Sequence, residues 1–354
     1  MKIPIAVICC LMCMIATEAF AKQDCGPSKK STILAKATTK SKSVRVDCNL
    51  TLEKGEMVTK QLRLVGSNAS GVRIRCNGGV IGSTHPNSIH YRGDIIQIKS
   101  AKRNKKWRRP EGVTIEGCKV NGGIRVFGLG LNGQDDQVKQ SSRSKHHTRR
   151  AQKIAPTRIT LSRLSIRGQG RIPVYFSPGV TKSVLSKSLI YGRSVSSGVY
   201  LDAESANNTV SDNVFRVATT REILSIDGSA NNLIQGNVFH SSDLGGVYVY
   251  RNCGEGGAAR HQKPMFNTIS NNTFHYDGLL ISRPTIWVSF KNLPRLIFNC
   301  PMDRSIPFGS GADDRNFADR NTVTYNKFIA SSGKSFVRDD GRENLVQFNK
   351  RVRK

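Results

Sequence analysis

The fold of this chain is decided by a short motif that returns along its second half. The motif reads NTVSDNVF at residues 208–215, NLIQGNVF at 232–239, NTISNNTF at 267–274 and NTVTYNKF at 321–328. A shortened copy, NLVQFN, follows at residues 344–349. The consensus is Asn-x-Val/Ile-x-x-Asn-x-Phe, and this many matches do not arise by chance. Self-similarity of this kind indicates a repeat protein.

The spacing of the motif predicts how the chain winds. Val184 precedes Val210 by 26 residues, Ile234 follows Val210 by 24, and Val323 precedes Val346 by 23. Within each period, short β-rich runs alternate between apolar and polar residues, whereas a helical repeat needs apolar residues three and four positions apart. The leucine-rich frame is also absent. The chain is therefore predicted to be all-β, a parallel β-helix solenoid that makes one turn per period.

The repeated asparagines have a structural explanation in such a fold. An amide side chain at the same corner of successive coils can hydrogen-bond to the coils above and below. Asn also tolerates the left-handed backbone of a sharp corner. We therefore expect the Asn residues to be structural, and we expect Val, Ile and Phe to fill the interior.

The motif resembles the coils of the right-handed parallel β-helix superfamily, which includes pectate-lyase-like and NosD-like proteins. The resemblance covers about residues 70–350; residues 71–81 and 112–118 are similar to the first coils of many members. It implies a single-stranded right-handed β-helix. It does not imply one function, because the superfamily holds lyases, hydrolases, epimerases, adhesins and binding proteins.

Irregular intervals in the repeat predict the domain organisation. Loops inserted at the corners of a solenoid commonly carry its function. One of these insertions is polar and basic, and we expect it to be mobile. The predicted segments are a signal peptide at 1–21, an N-terminal cap at 22–68, the β-helix at 69–350, and insertions at 132–156, 254–263 and 277–319.

The first residues indicate export. Lys2 precedes an apolar stretch at residues 3–16, and Ala19-Phe20-Ala21 is a small-x-small cleavage site. This order is typical of a Sec signal peptide that is cleaved after Ala21. The mature protein is therefore expected to be secreted or periplasmic.

Six cysteines remain after that cleavage, and an oxidising compartment favours disulfides. Six cysteines allow about 15 pairings. Cys76 and Cys118 follow inward isoleucines of successive coils, so we expect them to be neighbours. The predicted pairs are Cys25–Cys48, Cys76–Cys118 and Cys253–Cys300.

The charge balance predicts a polyanionic partner. The chain has 55 Lys and Arg against 25 Asp and Glu, a net charge of +30. A charge of this size favours nucleic acid, anionic lipid or an acidic polysaccharide. Export argues against nucleic acid, and no later apolar run reaches the roughly 18 residues that span a bilayer. We expect a monomer that binds an acidic polysaccharide.

Acidic side chains recur at one corner of the predicted coils. Asp202 and Asp227 are 25 residues apart, and Arg251 follows Asp227 by 24. This spacing places them on successive coils, about 4.8 Å apart. Neighbouring carboxylates perturb each other's pKa, as in many active sites. The other candidates nearby are Glu204, Glu222, Glu255, Arg260 and His261.

The candidate residues allow two kinds of enzyme. In a polysaccharide lyase, which we favour, Arg251 and Arg260 hold a uronate carboxylate while His261 transfers the C5 proton in a β-elimination. In a glycoside hydrolase, Asp202 and Asp227 act as the acid and as the base or nucleophile.

Other roles are open for the same residues. Asp202, Glu204 and Asp227 could bind Ca²⁺. Arg251 could instead neutralise Asp202 and Asp227 in a structural ladder, in a protein that binds cell-envelope polyanions without cleaving them. Acids that are all paired would support this last alternative, and acids that face an open groove would support an enzyme.

A basic run at residues 102–109 contains six cations around Trp107. Trp can stack on a sugar face while Lys and Arg hold carboxylates. We expect Lys105, Trp107 and Arg108 to contact the polysaccharide. Alternatively, the run is a solvated surface that maintains solubility.

Overall fold

The chain forms a three-sided solenoid in which successive coils contribute strands to three parallel sheets. The structure is a computed structural model that describes residues 22–240, 242–276, 283–290, 305–313, 315–330 and 336–353. The predicted signal peptide lies outside these residues. No helix in the described part of the chain is long and apolar enough to span a bilayer.

Each sheet has ten strands among the described residues. Sheet 1 contains Ser43–Arg45, Gln61–Val65, Asp94–Lys99, Gly123–Phe127, Val174–Phe176, Val199–Leu201, Leu224–Asp227, Val247–Tyr250, Ile286–Val288 and Val337–Asp339. Sheet 2 contains Leu50–Glu53, Arg73–Asn77, Thr114–Glu116, Thr160–Ser162, Val184–Ser186, Thr209–Ser211, Leu233–Gln235, Thr268–Ser270, Thr322–Thr324 and Leu345–Gln347. Sheet 3 contains Met57–Val58, Val80–Ile81, Lys119–Asn121, Ser165–Gly170, Leu189–Ser194, Val214–Ala218, Val238–Phe239, Thr273–His275, Lys327–Ile329 and Lys350–Val352. This arrangement confirms the predicted right-handed parallel β-helix.

Helices and one hairpin lie outside the three sheets. The α-helices are α1 (Pro27–Leu34), α2 (Asp136–Ser142), α3 (His147–Ile154) and α4 (Gly309–Ala312). Short 3₁₀ helices are Ser67–Ala69, Ser242–Leu244 and Glu255–Gly257. The strands Ala101–Arg103 and Lys106–Arg108 pair with each other in an antiparallel hairpin.

The repeat motif builds the interior and one corner as expected. Phe215, Phe239, Phe274 and Phe328 stack on one another with ring centroids 4.6, 4.6 and 5.4 Å apart. The side-chain oxygen of each motif Asn accepts a hydrogen bond from the backbone N–H of its counterpart one coil earlier; for Asn237 and the N–H of the preceding Asn this distance is 3.0 Å. Both Asn columns are confirmed as structural.

The left-handed corner is not formed by the motif asparagines themselves. The positive φ angle belongs to the residue directly before each of them, as at Asp212 (φ 56°), Asn231 (φ 56°) and Tyr325 (φ 56°). That residue makes the turn. The motif Asn can then direct its amide into the buried column, where Asn213 and Asn237 have no exposed surface.

The solenoid begins within the segment that we predicted to be the cap. Residues 43–65 already supply strands to all three sheets, so the cap is limited to the residues before Ser43, chiefly α1. Cys25–Cys48 ties this cap to the first coil, and Cys76–Cys118 joins two later coils. Both pairings are confirmed. Cys300 lies outside the described residues, so its pairing with Cys253 stays a prediction.

Two predicted insertions have more regular structure than we expected. Residues 132–156 contain two helices, α2 and α3, whose side chains Val138 and Ala151 are buried. The predicted insertion at 277–319 is described only in part. It contains the strand Ile286–Val288, which pairs within sheet 1 and is therefore part of a coil.

Candidate functional site

The predicted acids lie at one corner of sheet 1. Leu201 pairs with Ile226, so the next residues, Asp202 and Asp227, are neighbours on successive coils. Asp227 itself pairs with Tyr250 on the following coil, which places Arg251 one residue beyond the column. The spacing therefore predicted that the two aspartates are neighbours, whereas Arg251 falls one register position beyond them.

A roof of two segments, residues 132–156 and 252–263, covers this corner. Ser142 connects them: its hydroxyl accepts the N–H of Ala259 at 3.0 Å, and its carbonyl lies 2.6 Å from Nε2 of His261. Val138, Ala151 and Ala258 form a small apolar cluster between the two segments. Under this roof Asp202, Glu204 and Asp227 are 0% exposed. Glu222, which lies before the start of the strand that carries Asp227, is 2% exposed.

Arg260, and not Arg251, supplies the charge that neutralises the aspartates. Its Nη1 lies 2.7 Å from Oδ1 of Asp202, and its Nη2 lies 3.9 Å from Oδ2 of Asp227. The hydroxyls of Tyr175 and Tyr200 donate to the same two carboxylates at 2.5 and 2.7 Å. Each aspartate therefore has a hydroxyl donor and shares a buried guanidinium.

The pKa values reflect two buried acids that share one cation. Burial raises the pKa of Asp227 from 3.8 to about 6. The negative charge of Asp202 also raises this pKa, whereas the positive charge of Arg260 lowers it. Burial alone would lower the pKa of Arg260, but Asp202 and Asp227 raise it well above its usual value. Arg260 is therefore charged at any physiological pH.

Arg251 binds backbone instead of carboxylates. One of its terminal nitrogens donates to the carbonyls of Asp313 and Arg315, the second at 2.7 Å. Its guanidinium lies over the ring of Phe317, 5.0 Å from the centroid. Burial lowers its pKa to about 10. Arg251 is 2% exposed, so its contacts connect Asp313, Arg315 and Phe317 to the solenoid.

Glu204 holds the roof to the solenoid. Its carboxylate accepts the backbone N–H groups of His261 at 2.7 Å and Gln262 at 3.1 Å, as well as the hydroxyl of Thr148. Nε2 of His147 lies 4.0 Å away, and burial lowers the pKa of His147 to about 4. Glu204 therefore contacts both segments of the roof.

The remaining predicted catalytic groups are placed differently. Glu222 accepts from the hydroxyls of Ser225 and Tyr250, the latter at 3.1 Å, and lies 3.3 Å from Nη2 of Arg221. The side chain of Glu255 lies outside the described part of the structure. His261 is partly exposed, with its ring 5.1 Å from that of His147.

The geometry gives no support to a calcium site at this corner. Arg260 already bridges Asp202 and Asp227, while Glu204 binds backbone N–H groups. Within the described ranges, no three His, Cys, Asp or Glu side chains lie together as metal ligands would.

The basic run forms one wall of an open groove at the N-terminal coils. Its hairpin stands beside the first strands of sheet 1, and two adjoining pockets of about 670 and 440 Å³ lie there. Trp107 lines the second pocket, whereas Lys105 lies at the hairpin tip with a φ of 60°. We call this the basic groove. Its cations are Arg45, Arg63, Lys99, Lys102, Arg103, Lys106 and Arg108.

Several of these cations were not predicted. Arg45 and Arg63 pair in register on the outer face of sheet 1. Burial, together with the charges of Arg63 and Arg45, lowers the pKa of Lys99. Arg45, Arg63 and Lys99 therefore form one cluster of like charge. A signal was present in the sequence, since Arg45 and Arg63 each stand between two apolar residues and so had to point outward.

The fold now allows a comparison with known proteins. A family profile described as "Right handed beta helix region" matches residues 70–274. The chain belongs to this family. A search of curated protein sequences finds no match.

Solved structures of other β-helix proteins resemble this one at low identity. An alginate lyase from Paenibacillus sp. has a TM-score of 0.51 and 14% identity over 86% of this chain and 88% of that chain. A lacto-N-biosidase from Eubacterium ramulus has a TM-score of 0.48 and 13% identity over 93% of this chain and 54% of that chain. At 14% identity, the likeness to the alginate lyase shows the fold alone.

Proposed function

We propose that this β-helix protein binds an acidic, uronate-type polysaccharide in the basic groove. The main support for the proposal is that seven cationic side chains line two adjoining pockets, and that Trp107 lines one of them. Guanidinium groups bind carboxylates with two parallel hydrogen bonds, and an indole stacks on the apolar face of a sugar. The net charge of +30 attracts such a chain from a distance.

Binding without cleavage agrees best with the acids at the roofed corner. Asp202, Glu204 and Asp227 are fully buried, and each accepts hydrogen bonds from protein groups. A β-elimination or hydrolysis there needs the sugar to reach these groups. Removing the roof would break the contacts of Arg260 and Glu204, so we propose that the cluster is structural.

The proposal is tested by titrating the mature protein with a polyuronate in a calorimeter, with a neutral glucan as the control ligand. The matched variants each carry four exposed cations changed to Ser. The groove variant changes Lys102, Arg103, Lys106 and Arg108. The control variant changes Lys119, Arg167, Arg216 and Lys327 on sheet 3, all exposed.

Loss of the groove cations should weaken polyuronate binding about tenfold or more, since exposed ion pairs contribute about 0.2–1 kcal/mol each. Binding should also weaken as salt screens the contacts. If both variants lost the same affinity for the polyuronate, or if binding did not depend on salt, the proposal that the groove is the binding site would be contradicted. Unsaturated uronate ends released in the same mixture would show the lyase reaction instead.

We also propose that the protein is exported by residues 1–21 and acts outside the cytoplasm. The two disulfides support this, because such bonds persist in oxidising compartments. Mass spectrometry of the protein secreted by its own host should find an N-terminus at Lys22. An intact Met1 terminus would contradict it.

A further inference from the structure

A second cationic pocket lies at the corner between sheet 3 and sheet 1, and none of its lining residues belongs to the basic groove. It has a volume of about 500 Å³ and lies beside the starts of the sheet 1 strands. Its lining residues are Arg92, Arg125, Gly170, Arg171, Ile172, Val195 and Ser196.

Arg125 is a buried cation with unused donors. It is 7% exposed, and its guanidinium lies over the ring of Tyr175, 4.0 Å from the centroid. In the described structure Arg125 forms one ion pair, with Asp94, and the distance from its Nη2 to Oδ1 of Asp94 is 3.5 Å, which is long for a hydrogen bond. Its Nε has no hydrogen-bond partner there. A guanidinium carries five N–H donors, and leaving buried donors unsatisfied costs free energy.

The rim of the pocket adds charge and an apolar surface. Arg92 and Arg171 are exposed at its edge, and Nε of Arg171 donates to the carbonyl of Arg92 at 3.1 Å, which holds the two together. Three arginines therefore line the pocket, and its lining residues in the described structure include no Asp or Glu. Val195, which is 69% exposed, provides an apolar side to the same opening.

We propose that this pocket is an oxyanion site that takes the carboxylate, sulfate or phosphate group of a small ligand or of a charged sugar. Arg125 supplies the buried donors, Arg92 and Arg171 close over the anion from the rim, and Val195 contacts the apolar part of the ligand. The site stands independently of polysaccharide binding in the basic groove.

Calorimetric titrations test this site with three probes, namely inorganic sulfate, inorganic phosphate and glucuronate, at constant ionic strength set by chloride. Changing Arg125 endangers the fold because it leaves Asp94 unpaired. The test variant is therefore Arg92→Ser with Arg171→Ser, which alters exposed residues only. The matched control is Arg167→Ser with Arg216→Ser on sheet 3, outside the pocket.

We expect saturable binding of at least one probe to the wild-type protein. The rim variant should weaken it about tenfold or more, because hydrogen bonds to charged groups are the strong ones, and the control variant should leave it unchanged. Preference for glucuronate would identify a sugar acid, and preference for sulfate or phosphate a tetrahedral anion. Absence of saturable binding for all three probes, or equal weakening in both variants, would overturn the proposal.

Discussion

Removing Arg260 should destabilise the protein strongly and in a pH-dependent way. Arg260 is 4% exposed and is the cation that bridges Asp202 and Asp227, both 0% exposed. Arg260→Ala leaves two adjacent buried carboxylates without a counter-charge. Breaking a buried ion pair from one side costs about 3–5 kcal/mol. We expect a loss of that size in the free energy of unfolding at pH 8.

The pH dependence follows from the raised pKa of Asp227. Its pKa of about 6 in the folded protein, against 3.8 ordinarily, means that the folded state binds the extra proton more tightly. Asp227 therefore contributes a stability that is present at low pH and is lost as pH rises through about 6. Without Arg260 this pKa rises further, so the variant should lose less stability at pH 5 than at pH 8.

Urea unfolding of both proteins at the two pH values measures the effect. Arg251→Ala is the matched control, since Arg251 is an equally buried arginine that binds carbonyls. It should cost about 1–3 kcal/mol, with little difference between pH 5 and pH 8. A second variant combines Arg260→Met with Asp202→Asn and Asp227→Asn, and should recover most of the loss because no buried charge remains. An Arg260→Ala protein as stable as the wild type at pH 8 would refute the reasoning, as would a loss equal at both pH values.

Two further predictions test the solenoid. Replacing Cys76 and Cys118 by Ser removes a disulfide between residues that are 42 positions apart in the sequence. The free energy of unfolding should fall by about 2–5 kcal/mol, as measured by denaturant titration without reductant. Asn237→Ala leaves the N–H of Asn213 and the carbonyl of Val210 without the amide that bonds them, and each orphaned group costs about 1–3 kcal/mol. An unchanged melting temperature in either variant would contradict the corresponding contact.

The solenoid could be predicted because its constraints are periodic. The spacing from Val210 to Ile234 fixes the coil length, and this interval reappears as a register pair in sheet 2. Asp202 and Asp227 were placed together by the same argument. Arg251 was misplaced because Asp227 and Arg251 are 24 residues apart while the register pair of Asp227 is Tyr250, one residue earlier.

The roof could not be predicted because its contacts do not repeat. Arg260 reaches Asp202 across 58 residues, and Thr148 reaches Glu204 across 56, each from a segment with no periodic signal. Polar composition made residues 132–156 look unstructured. Their few apolar side chains, such as Val138, Ala151 and Ile154, are nonetheless enough to bury one side of two short helices.

The roof also changes which charges a ligand meets. It removes the carboxylates of Asp202, Glu204 and Asp227 from solvent, while the roof cations Arg149 and Arg150 remain exposed on α3. Negative charge that is buried and paired with Arg260 has little effect at the surface, whereas exposed cations act through water over about a Debye length, roughly 10 Å. Because these carboxylates are buried, we expect a polyanion at this corner to meet the exposed cations of its outer surface.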